Sequence, residues 1–156
     1  MTAIPDTPND NPTRLSIASA IEGGLHDVKL DTNPALKALG ATLVTAQVGE
    51  VVMSFEAGDA TVQGNDVVSG GVIANMLDTA MAIATLSRLE AGMVCATVSL
   101  SVNMMSAAQP GTLYAVAKID RLGQRMCFAQ AQLFDTDQRL IAGGTSSLMI
   151  LKAEGL

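Results

Sequence analysis

The fold is decided by the most apolar stretch of the chain, Val67-Val-Ser-Gly-Gly-Val-Ile-Ala-Asn-Met-Leu-Asp-Thr-Ala-Met-Ala-Ile-Ala-Thr-Leu86. Within it a single residue, Asp78, is charged. The stretch predicts one long helix over 70–89, because Ser69 is a favoured N-cap residue and Gly92 follows the last turn. A helix that is apolar nearly all round is enclosed by other structure, so the rest of the chain must wrap around it.

Asp78 is the residue of this helix that most needs an explanation. Taking a carboxylate out of water without a partner costs several kcal/mol, roughly, so such a group is either paired or used. On a helical wheel, a stripe of small or polar residues shares its face: Gly71, Asn75, Ala82 and Thr85. This stripe either lines a ligand site or lets neighbouring strands pack closely, and both interpretations stay open at this point.

The segments around the helix have the character of strands. In 95–105, four polar residues alternate with apolar ones and predict a strand with one polar face: Thr97, Ser99, Ser101 and Asn103. Three more strands are predicted over 113–122, 125–134 and 140–151, in meander order, and Gly143-Gly144 predicts a bulge or a close approach. A short helix over 33–40 and a hairpin over 41–56 precede them. The pattern predicts an α+β fold, with a curved antiparallel sheet wrapped around one long buried helix.

Length and composition narrow the class of protein. The 156 residues suit a single domain, predicted over 15–156, after a flexible N-terminal tail over 1–14 that is rich in Pro, Asn and Asp. The tail lacks the features of a signal peptide, so we expect a cytoplasmic protein. The net charge of −6, without a Lys/Arg cluster, argues against nucleic acid as a partner. The apolar stretch is too short and too polar for a membrane span.

The cysteine and histidine content argues against a metal centre. The two cysteines, Cys95 and Cys127, lie in apolar surroundings and are expected to be reduced core residues. His26 is the only histidine, so there is no Cys/His cluster for zinc, and a Ser-His-Asp triad would have to recruit that one residue. We therefore expect neither a metal nor a separate cofactor.

Three segments resemble the hotdog-fold acyl-CoA thioesterases, and among them the phenylacetate-pathway (PaaI-like) branch. They are Ser69-Gly-Gly-Val-Ile-Ala-Asn-Met-Leu-Asp-Thr-Ala-Met-Ala82, Thr97-Val-Ser-Leu-Ser-Val-Asn103 and Gln109-Pro-Gly111. The resemblance implies the hotdog fold and hydrolysis of an acyl-CoA, in which coenzyme A is part of the substrate. It also implies a homodimer or homotetramer with its sites at the subunit interface.

Carried over by position, the resemblance makes Asp78 the catalytic carboxylate, acting as a general base or as a nucleophile. It makes Gly70, beside Gly71, the residue whose amide holds the thioester oxygen. Helix chemistry supports this role, since the first amides of a helix lack intrahelical partners and attract developing negative charge. The remaining expected contacts are Ser69, Asn75 and Ala82 with the substrate, and Arg121 and Arg125, next to Lys118, with the coenzyme phosphates.

One departure from the family pattern keeps an alternative function open. Ser69 stands where the family usually has a histidine, and its simpler role is the helix N-cap. The alternative is a non-catalytic hotdog module that binds acyl-CoA or another apolar ligand. A hotdog hydratase is disfavoured because those enzymes pair a histidine with the acid. The abundance of Met, Ala, Val and Leu favours a small to medium acyl or aryl group.

Overall fold

The computed structural model describes residues 10–155. Its three α-helices are α1 (Pro12–Gly23), α2 (Pro34–Ala38) and α3 (Gly70–Leu86). Its seven strands are β1 (Val28–Lys29), β2 (Thr42–Gln47), β3 (Glu50–Ala57), β4 (Met93–Met104), β5 (Gly111–Leu122), β6 (Met126–Phe134) and β7 (Leu140–Lys152). Single 3₁₀ turns lie at Asp59–Thr61 and Ala153–Gly155. Among the described residues, no helix is long and apolar enough to cross a membrane.

The strands form one antiparallel sheet in the order β1-β2-β3-β5-β6-β7-β4, and α3 packs on its concave face. The predicted curved sheet around one long helix is therefore confirmed. The predicted meander holds for β5, β6 and β7, but it is wrong for β4. Because β3 already pairs along β5, with Val52 opposite Val116, the strand β4 pairs with β7 and forms an edge of the sheet.

The core lies between α3 and the inner face of the sheet. Its largest fully buried side chains include Met76, Leu77 and Met81 from α3, and Phe55 and Leu133 from the sheet. Burying such side chains contributes roughly 1.5–3 kcal/mol each. This packing fixes which face of α3 points away from the sheet.

The predicted close approach at Gly143-Gly144 is found at the second glycine. A Cβ atom on Gly144 would lie 3.1 Å from the carbonyl oxygen of Ser101 on β4 and 3.6 Å from the side chain of Leu77. The absence of a side chain at this position lets α3 and β4 approach β7 closely.

Helix α1 begins within the segment that was predicted to be a flexible tail. Residues 1–9 of the predicted tail lie outside the described residues, but the prediction is wrong for 10–14. Asn11 caps α1 by accepting from the amide of Thr13 at 2.8 Å, and Thr13 and Arg14 are buried. Residues 10–14 are therefore packed against the rest of the chain, with Arg14 paired with Asp10.

Helix α3 ends three residues earlier than predicted. Ser87 is its C-cap residue, and its hydroxyl donates to the Ala84 carbonyl at 2.6 Å while accepting from the amide of Gly49 at 2.8 Å. This bond joins the end of α3 to the turn between β2 and β3. Gly92 lies further on, in the loop before β4, with φ of +78°.

Candidate active site

The N-terminus of α3 is capped as the sequence predicts. Ser69 has an extended backbone, and its hydroxyl accepts from the amide of Val72 at 3.4 Å. Its carbonyl accepts from the amides of Val72 and Ile73, both at 3.1 Å. Ser69 is thus engaged in holding the first turn of the helix.

The amides of Gly70 and Gly71 precede the first hydrogen bonds of the helix, so neither has an intrahelical acceptor. Both residues are exposed. A Cβ atom on Gly71 would meet nothing within 4 Å, and one on Gly70 would meet only the Met104 methyl at 3.5 Å. An anionic or carbonyl oxygen can therefore approach these two donors, where the helix dipole also favours negative charge.

An open stripe, formed by Gly71, Asn75, Asp78 and Ala82, runs along the face of α3 that the sheet leaves uncovered. The predicted stripe is confirmed for these residues and wrong for Thr85, which is fully buried. The Thr85 hydroxyl donates to the Met81 carbonyl at 2.9 Å and contacts the sulfur of Cys127. A helical wheel shows only the direction of each side chain. It does not reveal that the last turn of α3 is buried more deeply than the first.

The Asp78 carboxylate is half-buried and anchored to the sheet. The hydroxyl of Thr97 on β4 donates to its Oδ1 atom at 2.7 Å. Asn75, one turn earlier, does not contact Asp78; its side-chain oxygen accepts from Thr79 at 3.3 Å. The carboxylate is thereby held at the middle of the open stripe, two turns of helix from Gly70.

Sequence reasoning missed the role of Thr97 because a β-bulge breaks the alternation of β4. The residues opposite Thr97 and Ser99 are Leu148 and Ser147, which are neighbours on β7 and face opposite sides of the sheet. The extra residue at Val98 therefore turns Thr97 toward α3 and Ser99 away from it. The predicted common face for Thr97, Ser99, Ser101 and Asn103 is wrong at Thr97.

A cavity of about 310 Å³ lies beside the N-terminus of α3. Its lining residues come from the start of α3, from the residues just before it and from the segment at the end of β4: Val68, Gly70, Ile73, Met104, Met105, Ser106 and Ala107. The open stripe, the free amides and this cavity adjoin one another on one side of the molecule.

A family model described as the thioesterase superfamily matches residues 65–142, half of the chain, and spans the whole of α3 and the stripe. The chain belongs to the thioesterase superfamily. It is therefore a thioester hydrolase by family, as predicted. No curated protein sequence matches it significantly.

Solved structures of thioesterase relatives share the fold. A phenylacetic acid degradation-related protein from Ralstonia eutropha JMP134 has 26% identity and a TM-score of 0.73, over 86% of this chain and 98% of that one. A thioesterase family protein from Silicibacter pomeroyi has 24% identity and a TM-score of 0.76, over 87% and 98%. The PaaI protein of the Escherichia coli phenylacetic acid degradation operon has 18% identity and a TM-score of 0.73, over 89% and 94%. The predicted hotdog fold and the predicted likeness to the phenylacetate branch are confirmed.

Within one chain of this thioesterase, Arg121 and Arg125 lie far from the N-terminus of α3. Both are exposed at the hairpin between β5 and β6, with Lys118 on the same strand as Arg121. The register pairs Leu122 with Cys127 at this hairpin, whereas the opposite end of β5 begins at Gly111, beside the end of β3. The structure thus separates these cations from Gly70 of the same subunit by most of the length of the sheet.

The cysteines of the thioesterase are free thiols held in apolar surroundings. Burial, with smaller contributions from the charges of Cys127 and Asp78, raises the pKa of Cys95 to about 12. Burial also raises the pKa of Cys127, which is fully buried. Protonated thiols are poor nucleophiles, so neither cysteine is suited to be a reactive group.

Proposed function

We propose that the protein hydrolyses a small to medium acyl- or aryl-CoA thioester, with Asp78 as the catalytic carboxylate and the Gly70 amide holding the carbonyl oxygen. The observation that carries the proposal is the half-buried Asp78 carboxylate, anchored by Thr97 on the open stripe of a thioesterase-superfamily helix. Gly71, Asn75 and Ala82 on the same stripe, with Ser69 at the cap, are the proposed substrate contacts.

Two chemical routes are compatible with this arrangement. In the first, Asp78 takes a proton from water, the hydroxide adds to the thioester carbon, and the C–S bond breaks to release coenzyme A and the carboxylate. In the second, an Asp78 oxygen attacks the same carbon and expels the thiolate, and water then hydrolyses the mixed anhydride. In both, negative charge develops on the carbonyl oxygen, where an unpaired amide stabilises it.

The spacing of Gly70 and Asp78 supports a site shared by two subunits. Eight residues of helix separate them by about 12 Å along the axis, too far for one carbonyl group to contact both in one chain. The free edge of β4 and the uncovered stripe of α3 lie on the same side of the molecule. An edge strand of this kind is a template for a second copy, and we propose an antiparallel homodimer across β4, with a homotetramer as a further possibility.

The same dimer accounts for the position of the proposed phosphate-binding residues. In an antiparallel pair, the Met104 end of β4 in one subunit meets the Met93 end in the other. The hairpin with Arg121 and Arg125 lies near the Met93 end, since the Arg125 carbonyl accepts from Ile150, which is paired with Cys95 of β4. Arg121 and Arg125 of one subunit are therefore proposed to bind the coenzyme of the site at the other subunit's Gly70.

The expected cytoplasmic location of the protein stays a prediction.

The decisive experiment compares thiol release from a panel of acyl- and aryl-CoAs by wild type, Asp78→Asn and Gly70→Pro. Proline is favoured at the first helical position, where its ring replaces the amide hydrogen and removes the donor, and the extended Ser69 backbone suits a residue before proline. We expect Asp78→Asn to reduce kcat by roughly 100- to 10,000-fold and Gly70→Pro by roughly 100-fold or more. Asp137→Asn, in an exposed turn, is the matched control.

The alternative function is a module that binds acyl-CoA without hydrolysing it, and the observation that favours it is Ser69 in place of the family's histidine. Wild type that binds acyl-CoA in calorimetry but releases no thiol from any member of the panel would establish this alternative. Full activity in a folded Asp78→Asn variant would refute the catalytic assignment.

A further inference from the structure

The side chains that line the cavity beside Gly70 favour an acyl chain as its occupant. Its side chains are apolar apart from the Ser106 hydroxyl. The pantetheine arm of coenzyme A carries two amides, and burying an amide without hydrogen bonds is costly. A hydrocarbon chain has no such requirement, and its burial is favourable.

The cavity has room for a short acyl chain within one subunit. At about 310 Å³ it lies at the lower end of the range of ligand pockets, which is roughly 300–1,000 Å³. A thioester whose oxygen contacts the Gly70 amide has its acyl carbons next to this space.

Met104 lines the cavity and lies beside Gly70. Its methyl group is 3.5 Å from the position that a Cβ atom on Gly70 would occupy. The side chain is 48% exposed, whereas Met53, Met76 and Met81 are fully buried in the core. Core packing therefore does not fix this methionine, and its unbranched thioether chain adapts its shape to a neighbour.

We propose that Met104 is a specificity-determining residue that lines the acyl pocket and sets its preference among acyl chain lengths. This proposal rests on the proposed function of the same site. When the pocket holds an acyl chain, the Met104 side chain packs against it beside Gly70. Shortening this side chain enlarges the pocket, and a rigid ring in its place reduces it.

The experiment measures kcat/KM for butanoyl-, hexanoyl-, octanoyl- and palmitoyl-CoA with wild type, Met104→Ala and Met104→Phe. We expect Met104→Ala to raise the ratio of octanoyl- to butanoyl-CoA turnover by roughly 10-fold or more, since a few methylene groups in an apolar pocket produce discrimination of this size. Met104→Phe should lower the same ratio. Met149→Ala is the control, because Met149 is similarly exposed, at 41%, but lies on the outer face of β7 beside the buried Leu148.

The outcomes separate this proposal from the function on which it rests. A change in kcat/KM by the same factor for every chain length would assign Met104 to the coenzyme path and overturn its role in selectivity. An unchanged profile in both folded variants would overturn it as well. Wild type that hydrolyses none of the thioesters would instead refute the proposed function, and the selectivity proposal with it.

Discussion

At the scale of single residues, the Asp78 carboxylate is held by a hydrogen bond to one of its two oxygens. Thr97 donates to Oδ1 at 2.7 Å, and within residues 10–155 no group donates to Oδ2. A hydrogen bond to one oxygen fixes the orientation of the carboxylate, while the other oxygen stays available for a proton or an acyl carbon. In the proposed mechanism Thr97 is therefore a positioning residue, since it acts through Asp78.

Replacing Thr97 with valine keeps the shape of the side chain and removes the hydroxyl. Hydrogen bonds to charged groups contribute about 1.5–3 kcal/mol, so we expect kcat in thiol release to fall by roughly 10- to 100-fold, with KM little changed. Thr97→Ser restores the donor and should recover most of the loss. Steady-state kinetics of both variants test this expectation.

Ser99, which lies two residues after Thr97 and beyond the bulge at Val98, provides a matched control. The Ser99 hydroxyl contacts Ser147 at 2.7 Å on the other face of the sheet, so Ser99→Ala removes a hydroxyl from the same strand without touching Asp78. Equal losses in Thr97→Val and Ser99→Ala would indicate a general effect on β4. Such a result would contradict the positioning role.

At the scale of elements, helix α1 clamps the connection between α3 and β4. The Arg14 guanidinium is paired with Asp10 and donates to the Leu89 carbonyl at 3.4 Å, and Asp10 accepts from the amide of Gly92 at 3.2 Å. The Asp10 side chain is fully enclosed and that of Arg14 is 9% exposed. Removing one partner of a buried ion pair leaves an uncompensated charge.

Two ion pairs with the same i,i+4 spacing allow a comparison of burial. Arg14→Gln breaks the buried pair with Asp10, and Arg139→Gln breaks the pair with Asp135, in which the arginine is 53% exposed. We expect the free energy of unfolding to fall by about 3 kcal/mol for Arg14→Gln and by less than about 1 kcal/mol for Arg139→Gln. Urea denaturation at one fixed protein concentration measures both, and equal losses would contradict a clamping role for α1.

The same pair predicts a dependence of stability on pH. The hydrogen bond from Arg14 lowers the pKa of Asp10 below its ordinary value of 3.8, so the unfolded chain binds this proton first as the pH falls. The stabilisation is present above pH 3.8 and is lost as the pH falls through the lowered pKa. Wild type should therefore lose more unfolding free energy over this acidic range than Arg14→Gln, whose Asp10 has no cation beside it.

Elements with strong local signals were predictable from the sequence, and those set by distant contacts were not. Helix α3 has a capping serine and an uninterrupted apolar run, so its start at Gly70 follows from the sequence. Helix α1 buries only a narrow face, and its stability depends on Asp10 and on the loop at Gly92, 82 residues away in sequence. The position of β4 beside β7 is also non-local, because it depends on β3 having paired with β5.

The candidate site likewise contains residues that the sequence predicts and residues that it does not. The stripe with Asp78 follows from helical periodicity, and the free amide of Gly70 follows from its place after the N-cap. Thr97 could not be found in the same manner, because a single extra residue at Val98 reverses the faces of a strand without a clear mark in the sequence. Thr85 was predicted to lie on the stripe because helical periodicity indicates the direction in which a side chain points, but not how deeply it is buried.

At the scale of the whole molecule, the proposed site is complete only when two chains combine. The Gly70 amide and the Asp78 carboxylate are about 12 Å apart along one helix, and the open stripe of α3 is unpartnered in the described chain. In a two-fold dimer, each site would take its amide from one subunit and its carboxylate from the other. Sedimentation should accordingly detect a dimer or tetramer.

Complementation between two inactive variants tests the shared site directly. Asp78→Asn and Gly70→Pro damage opposite halves of each site, so a mixed dimer has one site with both defects and one with neither. Since random pairing makes half of the dimers mixed, co-expression should restore about a quarter of the wild-type kcat per subunit. If both groups acted within one chain, every site in the mixture would keep one defect, and thiol release would not exceed that of the separate variants. The recovered activity should fall on dilution below the dimer dissociation constant, because the intact site exists only while the two different chains stay together.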